Sequence, residues 1–214
     1  MYVPKHFQED RVEVLRGIME ANPLATVVAQ TTNGLVANHC PLVFRSTAAA
    51  EGALIGHIAR ANPFWRETVV GDVLAIFSGP NSYISPSWYA AKQQTGKVVP
   101  TWNYAAVHLY GKARFIEDRA QLRQIVEDLT GMHEAKRSQP WSLQDAPADY
   151  IEQQLGAIIG IEISVTRIEG KLKFSQNRSS EDQLGVIEKL ENEAAPDASA
   201  LAQLMRESYE RRPA

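Results

Sequence analysis

A single cysteine, Cys40, occurs among the 214 residues, so no internal disulfide framework exists and a reducing compartment is expected. No apolar run approaches the ~18–20 residues needed to span a bilayer. The opening Met1-Tyr2-Val3-Pro4-Lys5-His6 lacks the apolar stretch of a secretory leader. Together these point to a cytoplasmic protein that is not held in a membrane. Charge of one sign is also missing. A net charge of −3 creates no strong global field for nucleic acid. Nucleotide loops of the types G-x-G-x-x-G and G-x-x-x-x-G-K-[ST] are absent, so any phosphate must be held by side chains or isolated amides. The five histidines show no H-E-x-x-H spacing, and no metal is expected. His39 and Cys40 are neighbours, which on a strand point to opposite faces. Cys40 reads as a small buried hydrophobe in preference to a nucleophile. No G-x-S-x-G elbow supports a serine nucleophile, and no catalytic residue is assigned.

What is present is strand after strand with helices between. Val12, Leu15, Ile18 and Met19 share one helical face, which Asn22-Pro23 ends. Residues 25–29 and 35–44 read as strands around an Asn33-Gly34 turn, and 53–58 as a third. A short Ala48-Ala49-Ala50 turn separates the second and third. Residues 72–78 form a strand ended by Gly79-Pro80, and Asn62-Pro63 and Ser85-Pro86 each start a short helix. Residues 105–110 alternate with period two, and Gly111-Lys112 lead to a further strand at 113–116. Leu122, Ile125, Val126 and Leu129 mark an amphipathic helix, and Ile161, Ile163 and Val165 mark a late strand. Leu184, Ile187 and Leu190 predict one C-terminal helix. Leu201, Leu204 and Met205 predict another, capped by Asp197. This succession predicts an α+β fold built on an antiparallel barrel with flanking helices.

Three clusters carry chemistry. In Gly56-His57-Ile58-Ala59-Arg60-Ala61-Asn62-Pro63 a strand meets a helix start, which places Arg60 where an anion such as phosphate is stabilised. Tyr83, Trp88, Tyr89, Trp102 and Tyr104 fall in loops rich in hydroxyl and amide groups. They suit a flat heteroaromatic ligand or a subunit interface equally. Residues 171–180 (KLKFSQNRSS) combine three cations with polar groups before a helix. That composition fits a solvated basic loop or a phosphate contact.

In order, these clusters resemble the PaiB family: Gly56 to Pro63, Gly79-Pro80 with Tyr83-Ile84-Ser85-Pro86-Ser87-Trp88-Tyr89, Pro100-Thr101-Trp102-Asn103-Tyr104, and Lys173-Phe174-Ser175-Gln176-Asn177. Met1-Tyr2-Val3-Pro4 and Ala37 to Leu42 also fit, and the likeness spans roughly residues 1–192. Phe174 and the run Asn38-His39-Cys40-Pro41 depart from the family pattern, which often has Leu and Thr-His-Leu-Pro at those places. The resemblance implies an FMN-binding split β-barrel over residues 1–180 and a C-terminal helical extension at 181–214 packed on it. It also implies a homodimer with FMN at the subunit interface and a role in negative transcriptional regulation. By position, His57, Ala59, Arg60 and Asn62 would lie on the phosphate side. Thr101, Trp102 and Asn103 would approach the ring, and Gln176, Asn177 and Arg178 would close the site. A DNA or regulatory partner belongs to that expectation, although mixed charges on the last two helices argue against tight direct DNA binding. Two other readings are a flavin-dependent oxidoreductase, with Tyr83, Tyr89 or His108 as proton-transfer candidates, and a haem protein with His39 or His57 as axial ligand.

Overall fold

Strand propensity and period-two alternation dominate the chain, and the computed structural model, which describes residues 1–47 and 50–211, contains seven strands. They are β1 (Gln8–Glu9), β2 (Leu24–Thr31), β3 (Gly34–Thr47), β4 (Ala50–Ala59), β5 (Val73–Ile84), β6 (Thr101–Ile116) and β7 (Ile158–Lys173). The sheet order is β1-β7-β4-β3-β2-β5-β6, and β7 pairs with β6 as well, so six strands close on themselves. Closure removes open edges. The six helices are α1 (Val12–Ala21), α2 (Ala91–Thr95), α3 (Arg119–Glu134), α4 (Ala148–Gly156), α5 (Ser180–Glu191) and α6 (Ala198–Glu210). This is the antiparallel barrel with flanking helices that the patterning predicts. Ala48 and Ala49 of the predicted alanine turn lie outside the described residues.

The chain divides into two compact units: Met1–Ile18 with Ser78–Val107 and Glu169–Ala214, and Met19–Phe77 with His108–Ile168. In the second unit, β2 alternates strictly, burying Ala25, Val27 and Ala29, and pairs with β3 and β5. Strands β3 and β4 pair next, then β4 and β7. Ile159, Ile161, Ile163 and Val165 of β7 are all buried. Helix α3 packs Ile125 and Leu129 on Ala53, Ile55 and Ile116. Its Leu122 meets Ile151 and Leu155 of α4, whose i, i+4 spacing is the signal for a helix that the sequence reading left out. Cys40 of β3 is buried at 3% exposure, and burial pushes its thiol pKa up to about 11. The native protein is therefore expected to resist iodoacetamide at pH 8 and to label once unfolded in urea. Stoichiometric labelling of folded protein would show a reactive thiol instead.

In the first unit, α5 buries Val186, Ile187 and Leu190, and α6 buries Leu201, Ala202 and Met205. Gly170 lets β7 approach the N-terminal segment, since a Cβ there would meet Leu15 Cδ2 at 2.3 Å and the Glu9 carbonyl at 2.5 Å.

Several local expectations change. Strand β5 runs through Gly79-Pro80 to Ile84, because proline's fixed φ is compatible with extended backbone and only its donor is lost. Gly111 interrupts nothing. Strand β6 is continuous from Thr101, and glycine there permits close contact with β7. The hairpin register pairs Thr31 with Gly34, so Thr32 and Asn33 form the tip, and Gly34 takes φ 122°. The two proline-led helices are single 3-10 turns, Pro63–Arg66 and Pro86–Trp88, capped as predicted by the Asn62 and Ser85 side chains. On α5, Leu184 is exposed and Asp182 and Gln183 are buried, because their side chains bond the Ala91 amide and the Arg178 carbonyl. Asp197 makes no cap bond to α6 and turns to Asn81 instead.

Candidate functional site

The predicted site residues divide between the two units. In the second, β4 ends at Ala59, which is exposed, and His57 lies half-buried opposite Gly160 of β7. Burial lowers the His57 pKa, so its imidazole stays neutral further into acid. The Arg60 amide donates to the Ala157 carbonyl at 2.7 Å, and its Nε donates to the Gly156 carbonyl at 2.9 Å. Arg60 Nη1 donates to Glu117 Oε2 at 2.8 Å, and the guanidinium lies 5.7 Å from the Trp65 ring centre. Glu117 is exposed, and an exposed ion pair contributes only about 0–1 kcal/mol, so an anion of higher charge can displace that carboxylate. Asn62 accepts from the Phe64 amide and donates to Asn38 Oδ1 at 2.7 Å. The structure thus gathers His57, Ala59, Arg60 and Asn62 at one strand end and adds Asn38 and Glu117. Neither addition was assigned a role from sequence, because neither lies within the cluster around Arg60.

In the first unit, Trp102 and Tyr104 lie on β6 and Tyr83 on β5, not in loops. Alternation along β6 sends Trp102 outward at 53% exposure and Asn103 inward at 0%. Tyr83 meets Trp102 edge to face at 6.4 Å, whereas Tyr89 is buried. Lys171 and Lys173 are strand residues of β7 and not part of a basic loop. Lys173 Nζ donates to Thr101 Oγ1 and to the Trp102 carbonyl. Burial, and then the charge of Lys171, push the Lys173 ammonium below the usual lysine range. Lys171 donates to the Tyr2 carbonyl at 3.0 Å and lies 5.3 Å from the Tyr104 ring centre.

Asn103 Nδ2 donates to Ser175 Oγ at 3.0 Å, and Ser175 holds the left-handed φ of 62°. Gln176 spends its amide on the same turn, accepting from the Phe174 amide at 2.7 Å and donating to the Leu172 carbonyl at 2.6 Å. Asn177 is exposed at the turn's tip. Arg178 lies over the Tyr89 ring at 4.7 Å, and the buried Tyr89 hydroxyl has no hydrogen-bond partner among the described residues. Thr101, Trp102, Asn103 and the Gln176–Arg178 turn therefore come together, with Lys173 joining them.

Among the described residues, no group of three His, Cys, Asp or Glu side chains is placed to hold a metal ion, and no helix is long and apolar enough to cross a membrane.

Residues 1–167 match the family described as "Putative FMN-binding domain". The chain is 37% identical over 215 residues to the protease synthase and sporulation protein PAI 2 of Bacillus subtilis, covering 99% of each. It is 32% identical over 246 residues to an uncharacterized protein of Emericella nidulans, covering 98% of each. Its fold matches the FAD and heme binding protein of Mycobacterium smegmatis with a TM-score of 0.56 at 14% identity, covering 83% of this chain and 78% of that one. The flavocytochrome Anf3 of Azotobacter vinelandii matches with a TM-score of 0.58 at 16% identity, covering 86% and 78%. Both structural likenesses concern the fold. Identity of 37% to PAI 2 over nearly the full length and a family match over residues 1–167 place the chain in the PaiB family of FMN-binding split-barrel proteins.

Proposed function

We propose that this chain works as a homodimer that holds FMN through side chains and takes part in negative regulation of transcription. The observation that carries the flavin reading is the set of Lys173, Thr101 and Trp102: an ammonium and a hydroxyl beside an exposed aromatic side chain on adjoining strands. That donor set fits the group, because FMN joins a flat heteroaromatic ring to a phosphate dianion. FMN, when bound, supplies an isoalloxazine that accepts one or two electrons. Arg60 of one protomer would carry the phosphate charge, and Trp102 of the partner subunit would face the ring. Asn103 and Gln176 would act as positioning residues, since their amides hold the turn that presents Asn177 and Arg178.

The regulatory part of the proposal rests on the relative named for protease synthesis and sporulation. Indirect action is favoured over direct grip on DNA. The net charge is −3, and the last two helices carry mixed charges, including the Arg206–Glu191 ion pair at 2.6 Å. Few phosphates would be neutralised by such a surface. Tight, sequence-selective mobility shifts at low salt would overturn that preference.

Flavin fluorescence titration with FMN and riboflavin tests the site. Arg60→Ala is expected to weaken FMN by about tenfold, the equivalent of one charge-assisted hydrogen bond, with little effect on riboflavin. Equal losses for the two ligands would show that Arg60 acts through its bond to the Gly156 carbonyl. A Soret band in the purified protein would favour haem over flavin.

A further inference from the structure

The first unit contains a cleft of about 470 Å³ whose lining has a distinct chemistry. Three aromatic residues, Tyr83, Trp88 and Trp102, form part of it, and two carboxylates, Glu193 and Asp197, form another part. Among the described residues that line it, none is a lysine or arginine. We infer that this cleft binds a small organic ammonium ion, held between the aromatic rings and the two carboxylates.

The geometry supports that ligand class in three ways. The Tyr83 and Trp102 rings stand at 75° with centroids 6.4 Å apart, so they form two walls of a corner. Ring faces carry the negative end of the aromatic quadrupole, and a cation enclosed by several faces gains attraction from each. Both rings are about half exposed, at 48% and 53%, so their surfaces are open to a ligand.

The acidic side is not explained by helix capping. Asp197 stands at the start of α6 yet makes no cap bond to the helix; its Oδ2 accepts from Asn81 Nδ2 at 3.2 Å instead. Glu193 lies exposed in the segment between α5 and α6. Lys173, the nearest cation to Trp102 in the strand pair, is directed to Thr101 and to the Trp102 backbone carbonyl. Two carboxylates with no lining cation disfavour the phosphate end of FMN and favour a cation. Its volume falls in the ~300–1,000 Å³ range of small-molecule sites.

Choline and its neutral isostere 3,3-dimethylbutan-1-ol are the probes, titrated by calorimetry and by tryptophan fluorescence into apoprotein and into FMN-loaded protein. Both forms are used because Trp102 also belongs to the proposed flavin site. Choline is expected to saturate at least one form and to bind about tenfold or more tightly than the alcohol, the difference being the charge. Trp88→Leu and Glu193→Gln should each weaken choline severalfold, and Glu193→Gln should leave FMN affinity unchanged. Glu193 is exposed, so its variant remains informative should Trp88→Leu fail to fold. Failure of the flavin reading shows as absent FMN binding with choline binding intact. Equal affinity for choline and the alcohol would reduce the cleft to an apolar groove and overturn the inference. Unchanged choline affinity in Glu193→Gln, or no saturation of either form up to about 20 mM, would overturn it too. In the last case a dimer seen by light scattering would assign the aromatic patch to the subunit interface.

Discussion

Gly111→Ala is expected to destabilise the protein by about 3 kcal/mol, the upper end of ordinary overpacking costs. Gly111 sits inside β6, and a Cβ there would meet the Ser164 carbonyl oxygen at 2.2 Å and Ile163 Cγ2 at 2.9 Å. The first obstacle is backbone of β7, which is held in the β4–β7 ladder and has little room to retreat. For a chain of this size a loss of ~3 kcal/mol lowers Tm by roughly 6–12 °C. Gly131→Ala is the matched control. Gly131 lies in α3 with nothing within 4 Å of the added methyl, so the same change should stabilise by about 0.5–1 kcal/mol through helix propensity. Urea unfolding followed by circular dichroism measures both. Gly111→Ala within 0.5 kcal/mol of the parent would mean that β6 and β7 are not packed as described.

The Asn103–Ser175 pair should give the second large effect. Asn103 is fully buried and Ser175 is 3% exposed, and they are joined by hydrogen bonds at 3.0 and 3.3 Å. Asn103→Leu keeps the branched outline of the side chain but strands the Ser175 hydroxyl, at a cost of about 2–3 kcal/mol once the lost contact with Met205 Sδ is included. Ser175→Ala alone strands the asparagine amide and should cost a similar amount. Combining Asn103→Leu with Ser175→Ala removes both polar partners, so the double variant should be less destabilised than the sum of the singles by about 1 kcal/mol or more. Strict additivity in the unfolding energies would show that the pair is not coupled. Ser175 precedes the Gln176–Arg178 turn, so the singles are also expected to weaken FMN on the proposed reading.

Much of the secondary structure was legible because it depends on short-range spacing. Alternation at Ile161, Ile163 and Val165 marks β7, and the side chains of Asn62 and Ser85 cap the turns that follow them. Where the reading went astray, a local signal was outweighed by packing. Gly79-Pro80 and Gly111 resemble breaks in sequence, yet both lie inside long strands. Asp197 has the composition of a cap, but a partner 116 residues away takes its carboxylate.

The site shows the same division more sharply. From sequence alone, Gln176 and Asn177 are equivalent polar residues beside a basic segment. In the folded chain the Gln176 amide is consumed by its own turn, while Asn177 stands at the tip. Lys173 meets Thr101, 72 residues earlier, only in the folded chain, and Arg60 acquires Glu117 and the Gly156 carbonyl in the same way. By itself, the sequence determined the order and type of the main elements, the clusters that carry polar chemistry and the family. Tertiary structure decided which polar groups stand together for a ligand, because strand pairing joins donors and acceptors far apart in the chain.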